Sequence, residues 1–441
     1  MVLLVRSVLN QRNSPSEKRG LSALLAAQFL GAANDNILKT LLSFAVVGGI
    51  WKGDLGEGGQ GLVALCLFVP FILFSGWAGP LADRMSKRTI AVWMKIAELP
   101  LAVTAGIGFI VGDLWITVTA MVLLATQSTF FSPAKYGMIP EIVREDRVSR
   151  ANGILNMTTN IAVIVGMIVA GMVSDGLAHG ENNANGLQST TSWNMWLPGL
   201  VLLSVAVLGI IAIIWLPKLK PADETAQFEL NPFKTYVATV AWAWGSPVVT
   251  GAIAWSVFYL VATLALLVVT ELGEVLDVSD AKVSYLLATI GVAVGIGSLI
   301  AGFISRSGIR IGVSRVGAIA MVITLIAAGV TTPTYIWMAV CMFCLGLSAG
   351  LYAVPLQSLM QVLPEPDHRG RVLATSNAMS FLLMAAGSFG YWWLRPLFGD
   401  QPQRIFVICG FISFVAWLIC RRIPSISLQE PHSKHDGPAH V

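Results

Sequence analysis

The chain has 441 residues, of which 55% are hydrophobic and only 12% charged, and its mean hydropathy is +0.73. Soluble domains carry about 25% charged residues, so a soluble enzyme, a disordered chain and a coiled coil are excluded. A net charge of +4 in so apolar a chain does not signal nucleic acid; it fits basic loops that orient a protein in a bilayer.

Residues 1–20 are too short and too polar for a cleaved signal peptide, so the first long apolar run is expected to target the chain. Apolar runs of about 20 residues predict twelve spans: 21–50, 61–81, 89–111, 114–135, 151–174, 196–216, 247–270, 282–304, 313–331, 334–360, 372–395 and 404–420. The first is expected either to run past the bilayer or to break near Gly48 and Gly49. The fourth and tenth meet Pro133 and Pro355, where a helix bends or ends. The loop at 175–195, rich in Asn, Gly and Ser, reads as a solvated connection.

Charge orders these spans. With the N-terminus inside, inside segments hold 21 of the 28 Lys and Arg and outside segments hold four. That bias places both termini in the cytoplasm. An internal repeat divides the chain. Gly79 and Asp83 close the second span and Gly302 and Arg306 the eighth, at an offset of 223. Pro133 and Pro355 repeat at 222, and Asn152 and Asn377 at 225. The organisation expected is a six-helix bundle at 1–216, a polar cytoplasmic linker at 217–245, a second six-helix bundle at 246–422 and a polar tail at 423–441. Two halves in parallel repeat describe an all-α membrane protein with the major facilitator fold.

The chemistry rests on residues that a bilayer disfavours. The topology leaves Lys39, Lys95 and Lys135 within spans, together with Asp35 and Glu98. Ionisable groups at that depth cost several kcal/mol unless paired or wetted, so they are functional candidates. Asp35 and Lys39 stand i,i+4 on the first span, with Asn36 beside them and Gln28 on the same stripe. Lys95 and Glu98 stand i,i+3, a spacing that suits a local structural pair. Gln127, Phe131 and Lys135 line up along the fourth span, and Asn152, Asn156 and Asn160 along the fifth. These stripes are expected to face a shared cavity. The repeat sets Phe258, within the group Trp255, Phe258 and Tyr259, opposite Asp35, and Gln357 opposite Lys135. One charged wall and one neutral, aromatic wall suit an amphiphile.

Other residue types add little. The five cysteines lie in apolar runs and read as small core side chains, including the Cys341 and Cys344 pair. The five histidines lie in loops or the tail, so proton coupling would fall to Asp35 or Glu98. No metal, cofactor or nucleic-acid partner is expected.

The loop GPLADRMSKR at 79–88 resembles the major facilitator loop signature. Gly79 allows close helix approach, Asp83 caps or pairs, and Arg84, Lys87 and Arg88 would hold the inside gate. Ser86 replaces the usual glycine, and the second copy carries Arg306 in place of the acid. Four further stretches, QFLGAANDNILKTLL (28–42), WMKIAELPL (93–101), TQSTFFSPAKYGMIPEIV (126–143) and GLYAVPLQSLMQVLPEPDHRGRVLATSNAM (350–379), narrow the family. They resemble the bacterial lysophospholipid transporters, and more closely the transporter half that occurs fused to an acyltransferase and an acyl–acyl-carrier-protein ligase.

That resemblance implies inward flipping of lysophospholipids, chiefly lysophosphatidylethanolamine, across a bacterial inner membrane. It implies that Asp35 and Lys135 belong to the polar site. Lys135 would meet the phosphodiester, and Asp35 an ethanolamine ammonium or Lys135 itself when the site is empty. No His-x-x-x-x-Asp pair occurs, so no acyltransferase chemistry is expected and a separate enzyme would reacylate the product. The protein is expected to be a monomer and not an enzyme. The alternative is a major facilitator exporter of hydrophobic drugs or other small solutes by proton antiport.

Overall fold

The computed structural model describes residues 15–144, 148–178, 194–217, 219, 234–305, 310–364 and 366–424. Twelve long helices occupy these residues. The first six are α1 (Pro15–Val47), α2 (Gly59–Arg84), α3 (Lys87–Val111), α4 (Leu114–Ile142), α5 (Val148–Ala178) and α6 (Leu197–Ile214). A short α7 (Lys234–Trp242) precedes α8 (Pro247–Leu276), α9 (Asp280–Ile304), α10 (Ile311–Val330), α11 (Tyr335–Val362), α12 (Pro366–Leu394) and α13 (Ile405–Arg421).

Eleven of them are long and apolar enough to cross a membrane. The exception, α1, is the longest at 33 residues. Its run Asn34, Asp35, Asn36 and Lys39 lowers its hydropathy, so the most polar span is the one that carries the candidate chemistry.

Local sequence sets the helix ends. Asp113 caps α4 by accepting from the amides of Trp115 at 2.8 Å and Ile116 at 3.1 Å. Gly112 closes α3 at a φ of 73°, a left-handed conformation that glycine adopts without strain. Ser246 caps α8, with Pro247 at its first position. Of the two outcomes for the first span, the helix ends at Val47 and turns at Gly48 and Gly49. Neither Pro133 nor Pro355 ends its helix: α4 runs on to Ile142 and α11 to Val362. In a spanning bundle, neighbouring groups re-satisfy the freed carbonyls.

The interval expected as a linker contains α7, which buries Thr239 beside α12; Ala243, just past its end, is buried there too. Most of its remaining residues, and positions 179–193 of the expected Asn-rich loop, lie outside the described residues.

Each half has its own packing. Leu41, Phe109 and Leu124 are buried in the first, and Val268, Leu272 and Leu359 in the second. Small residues bring helices close where backbones cross. A Cβ on Gly106 of α3 would stand 2.8 Å from the Gly199 Cα of α6. The second core continues across the seam to Phe44, Phe68 and Met167.

Polar side chains tie the seam at the end where α2 begins and α8 and α12 finish. Gln60 of α2 donates to Glu271 Oε2 and to the Tyr391 hydroxyl, both at 3.0 Å. Tyr391 donates to Glu271 at 2.5 Å, and Arg395 reaches Glu271 Oε1 at 2.6 Å. Ser174 of α5 donates to Asp280 of α9 at 2.6 Å. Lys52 and Glu274 form an exposed pair at 2.5 Å.

Candidate functional site

A polar cavity of about 180 Å³ lies inside the first half. Helix α1 supplies Gln28, Gly31, Ala32, Asp35 and Asn36, positions spaced so that one stripe faces inward. Helix α4 supplies Gln127, Ser128, Phe131, Ser132 and Lys135 on the same principle. Thr159 and Val163 enter from α5, Lys95 from α3 and Phe71 from α2. Gln28 donates to the Thr159 hydroxyl at 3.0 Å and joins α1 to α5 across the cavity.

The charges of this cavity are sparsely bonded. Asp35 accepts one hydrogen bond, from Ser128 Oγ at 2.7 Å. Lys135 makes no hydrogen bond or ion pair among the described residues; its ammonium stands 5.1 Å from the Tyr136 ring. Asp35 and Lys135 share the cavity without forming an ion pair. Lys95 is only 1% exposed and donates to Glu98 Oε2 at 2.6 Å. Asn34 Nδ2 donates to Glu98 Oε1 at 2.7 Å, and Asn34 Oδ1 is buried without a partner among the described residues. Ligand pockets for whole small molecules span about 300–1,000 Å³, so this cavity has room for a polar head group rather than for a chain as well.

The structure brings together some of the expected site residues and separates others. Asp35, Asn36, Gln127 and Lys135 line the cavity. Glu98 stands behind Lys95, bonded to it and to Asn34. Lys39 is half-buried and outside the cavity lining. Asn156 and Asn160 are exposed; Asn156 accepts from the Tyr136 hydroxyl at 3.3 Å. The face of α5 that meets the cavity is Thr159 and Val163, rotated from the Asn stripe.

The aromatic wall also differs from expectation. Trp255 is buried in the second core, and Phe258 stacks on Tyr352 at 5.5 Å. Gln357 is half-buried in α11, and none of the three lines the cavity. The aromatic contact between cavity and second half is Phe71, stacked on Phe381 of α12 at 4.7 Å. Sequence spacing reads Lys95 as a local structural pair rather than a lining residue, and does not find Ser128 or Thr159. Ser128, adjacent to Gln127, was the findable one.

At the basic end, Lys87 pairs with Glu141 at 2.5 Å and Arg88 Nε donates to the Leu216 carbonyl at 2.9 Å. Both contacts stay within the first half. Arg84 is exposed. The surroundings of Gly79, the side chain of Asp83 and all of Arg306 lie outside what the structure describes.

Twelve long helices, eleven of them long and apolar enough to cross a membrane, with a charged cavity sunk in the first set and polar ties to the second, fit a membrane transporter. The Major Facilitator Superfamily profile matches residues 24–388, and the chain belongs to that superfamily. It is 26% identical over 357 residues to the lysophospholipid transporter LplT of Photorhabdus laumondii, covering 79% of this chain and 81% of that one. It is 31% identical over 157 residues to the protein of the same name from Cronobacter sakazakii, covering 36% and 37%. Among solved structures, the inward-open xylose transporter XylE of E. coli aligns with a TM-score of 0.64 at 17% identity, covering 98% of each chain, a likeness of fold.

Proposed function

We propose that this protein moves lysophospholipids, with lysophosphatidylethanolamine as the leading substrate, inward across a bacterial inner membrane by alternating access. The observation that carries the reading is the placement of Asp35 and Lys135 on one cavity with their charges unmatched. A phosphodiester is anionic at neutral pH and complements Lys135. An ethanolamine ammonium complements Asp35. Each interaction is strong in a dry cavity and weak in a wet one. The similarity to transporters named for lysophospholipids over 79% of the chain supports the same substrate class.

The cavity volume suits a head group, which leaves the acyl chain to lie between helices in the hydrocarbon. Phe71 and Phe381 mark where the cavity meets the seam between the halves. On the charge-ordered topology both termini are cytoplasmic, and the tie of Gln60, Glu271, Tyr391 and Arg395 closes the outer side.

The test is the full chain in proteoliposomes, with a labelled lysophosphatidylethanolamine and albumin extraction to read the side of the membrane. Wild type is expected to move the lipid, and Asp35→Asn and Lys135→Ala each to lose at least tenfold in rate at normal expression. Uptake of cationic drugs that collapses with the proton gradient, together with indifference to lysolipid, would establish the exporter instead.

A further inference from the structure

We propose that Lys95 is a second cationic contact of the head-group cavity, so that one anionic phosphoryl group is held between Lys95 and Lys135 while Glu98 and Asn34 position Lys95. The proposal rests on the functional reading above and deepens it.

The local spacing of Lys95 and Glu98 suggests a self-contained pair. The bonding contradicts self-containment. An ammonium has three donors, and among the described residues Lys95 uses one, on Glu98 at 2.6 Å. Buried polar groups are normally hydrogen-bonded, and an unused donor in an apolar bundle is costly. The unused donors belong to a side chain that borders the polar cavity.

Three neighbours hold the ammonium at that border. Gly31 of α1, itself a lining residue, leaves the space it occupies: a Cβ there would fall on Lys95 Nζ. Phe131 of α4 presents its ring 5.6 Å from the nitrogen, within cation–π range. Glu98 is fixed from its other oxygen by Asn34 at 2.7 Å. The carboxylate therefore anchors one side of Lys95 at the cavity border.

The cavity then offers ammonium donors from two helices, α3 and α4, against a single carboxylate, Asp35, that lines it directly. That asymmetry fits a head group whose anionic part has several oxygens and whose cationic part is a single ammonium. A phosphoryl oxygen pair bridging two lysines is held more firmly than one lysine would hold it, because hydrogen bonds between charged groups are the stronger class.

The experiment measures KM and maximal rate for lysophosphatidylethanolamine in proteoliposomes, with thermal unfolding of each variant. Lys95→Gln with Glu98→Gln removes both charges together and leaves no stranded ion. The expected result is a KM raised about tenfold, the loss of one charged hydrogen bond, at near-normal stability. Lys95→Arg in the native background is expected to recover part of the affinity. A KM within twofold of wild type in the folded double variant overturns the proposal and leaves the transport function standing. Should the double variant not fold, Gly31→Ala decides: it displaces the ammonium from the cavity border, and an unchanged KM overturns the proposal equally. A wild type that moves no lysophospholipid overturns the functional reading, and this site with it.

Discussion

Each half of the molecule buries a cluster of charge, and the two clusters are bonded in opposite ways. In the second half, Glu271 accepts from Gln60, Tyr391 and Arg395, while Arg395 also reaches the Gly399 carbonyl at 2.6 Å and Glu57 at 3.4 Å. In the first half, Asp35 has one hydrogen bond, Lys95 one and Lys135 none among the described residues. Both clusters contain acids and bases at low exposure. The saturated cluster has little left to offer a ligand, so its work is cohesion, and Gln60 makes that cohesion span both halves. The sparsely bonded cluster borders a cavity and keeps donors and acceptors in reserve. Breaking a saturated buried pair strands a charge, whereas an under-bonded charge beside a cavity is completed by what enters.

The contrast can be broken experimentally. Arg395→Ala leaves Glu271 buried without its cation and should cost about 3–5 kcal/mol, read as a large fall in Tm of the purified protein. Glu98→Ala strands Lys95 in a comparable way, but the adjoining cavity admits water to the ammonium. Its cost should be smaller, about 1–3 kcal/mol in the same measurement. An equal loss in the two variants would mean that the first cluster is as closed as the second.

Gln60→Leu removes only the neutral tie between halves, worth about 1 kcal/mol, and should shift the balance of conformers about fivefold toward opening at that end. Ser388 is fully buried where its carbonyl abuts Gly61 of α2. Thiol labelling of a Ser388→Cys background should therefore accelerate when Gln60→Leu is added. The smallest effect belongs to Lys52→Ala. Its pair with Glu274 is exposed, at 61% and 45% of the side chains, and its loss should cost under about 1 kcal/mol, with Tm nearly unchanged.

Much of the fold is legible in the sequence, because a bilayer enforces one rule on every span. Backbone groups must bond internally, so a run of about 20 apolar residues becomes a helix. The spans, the break at Gly48 and Gly49 and the polar character of α1 follow from that rule. The continuation of α4 through Pro133 does not, since it depends on what neighbouring helices supply to the freed carbonyls. Helix rotation is equally hidden. Asn152, Asn156 and Asn160 form the conspicuous stripe of α5, yet Thr159 and Val163 meet the cavity. Trp255 and Phe258 occupy the repeat positions facing the charged stripe, yet they pack among their own helices, and Phe71 and Phe381 meet at the seam instead.

What the amino-acid order determined alone is which side chains are out of place in hydrocarbon: Asp35, Lys95, Glu98 and Lys135 announce themselves by the cost of burying charge. Their bonding was decided by tertiary structure. Spacing pairs Lys95 with Glu98, but only the arrival of Asn34, Gly31 and Phe131 from other helices sets how much of that lysine is left over. The reason is geometric. Periodicity states which residues share a face of one helix, while hydrogen bonds are satisfied between helices, at distances that only their packing establishes.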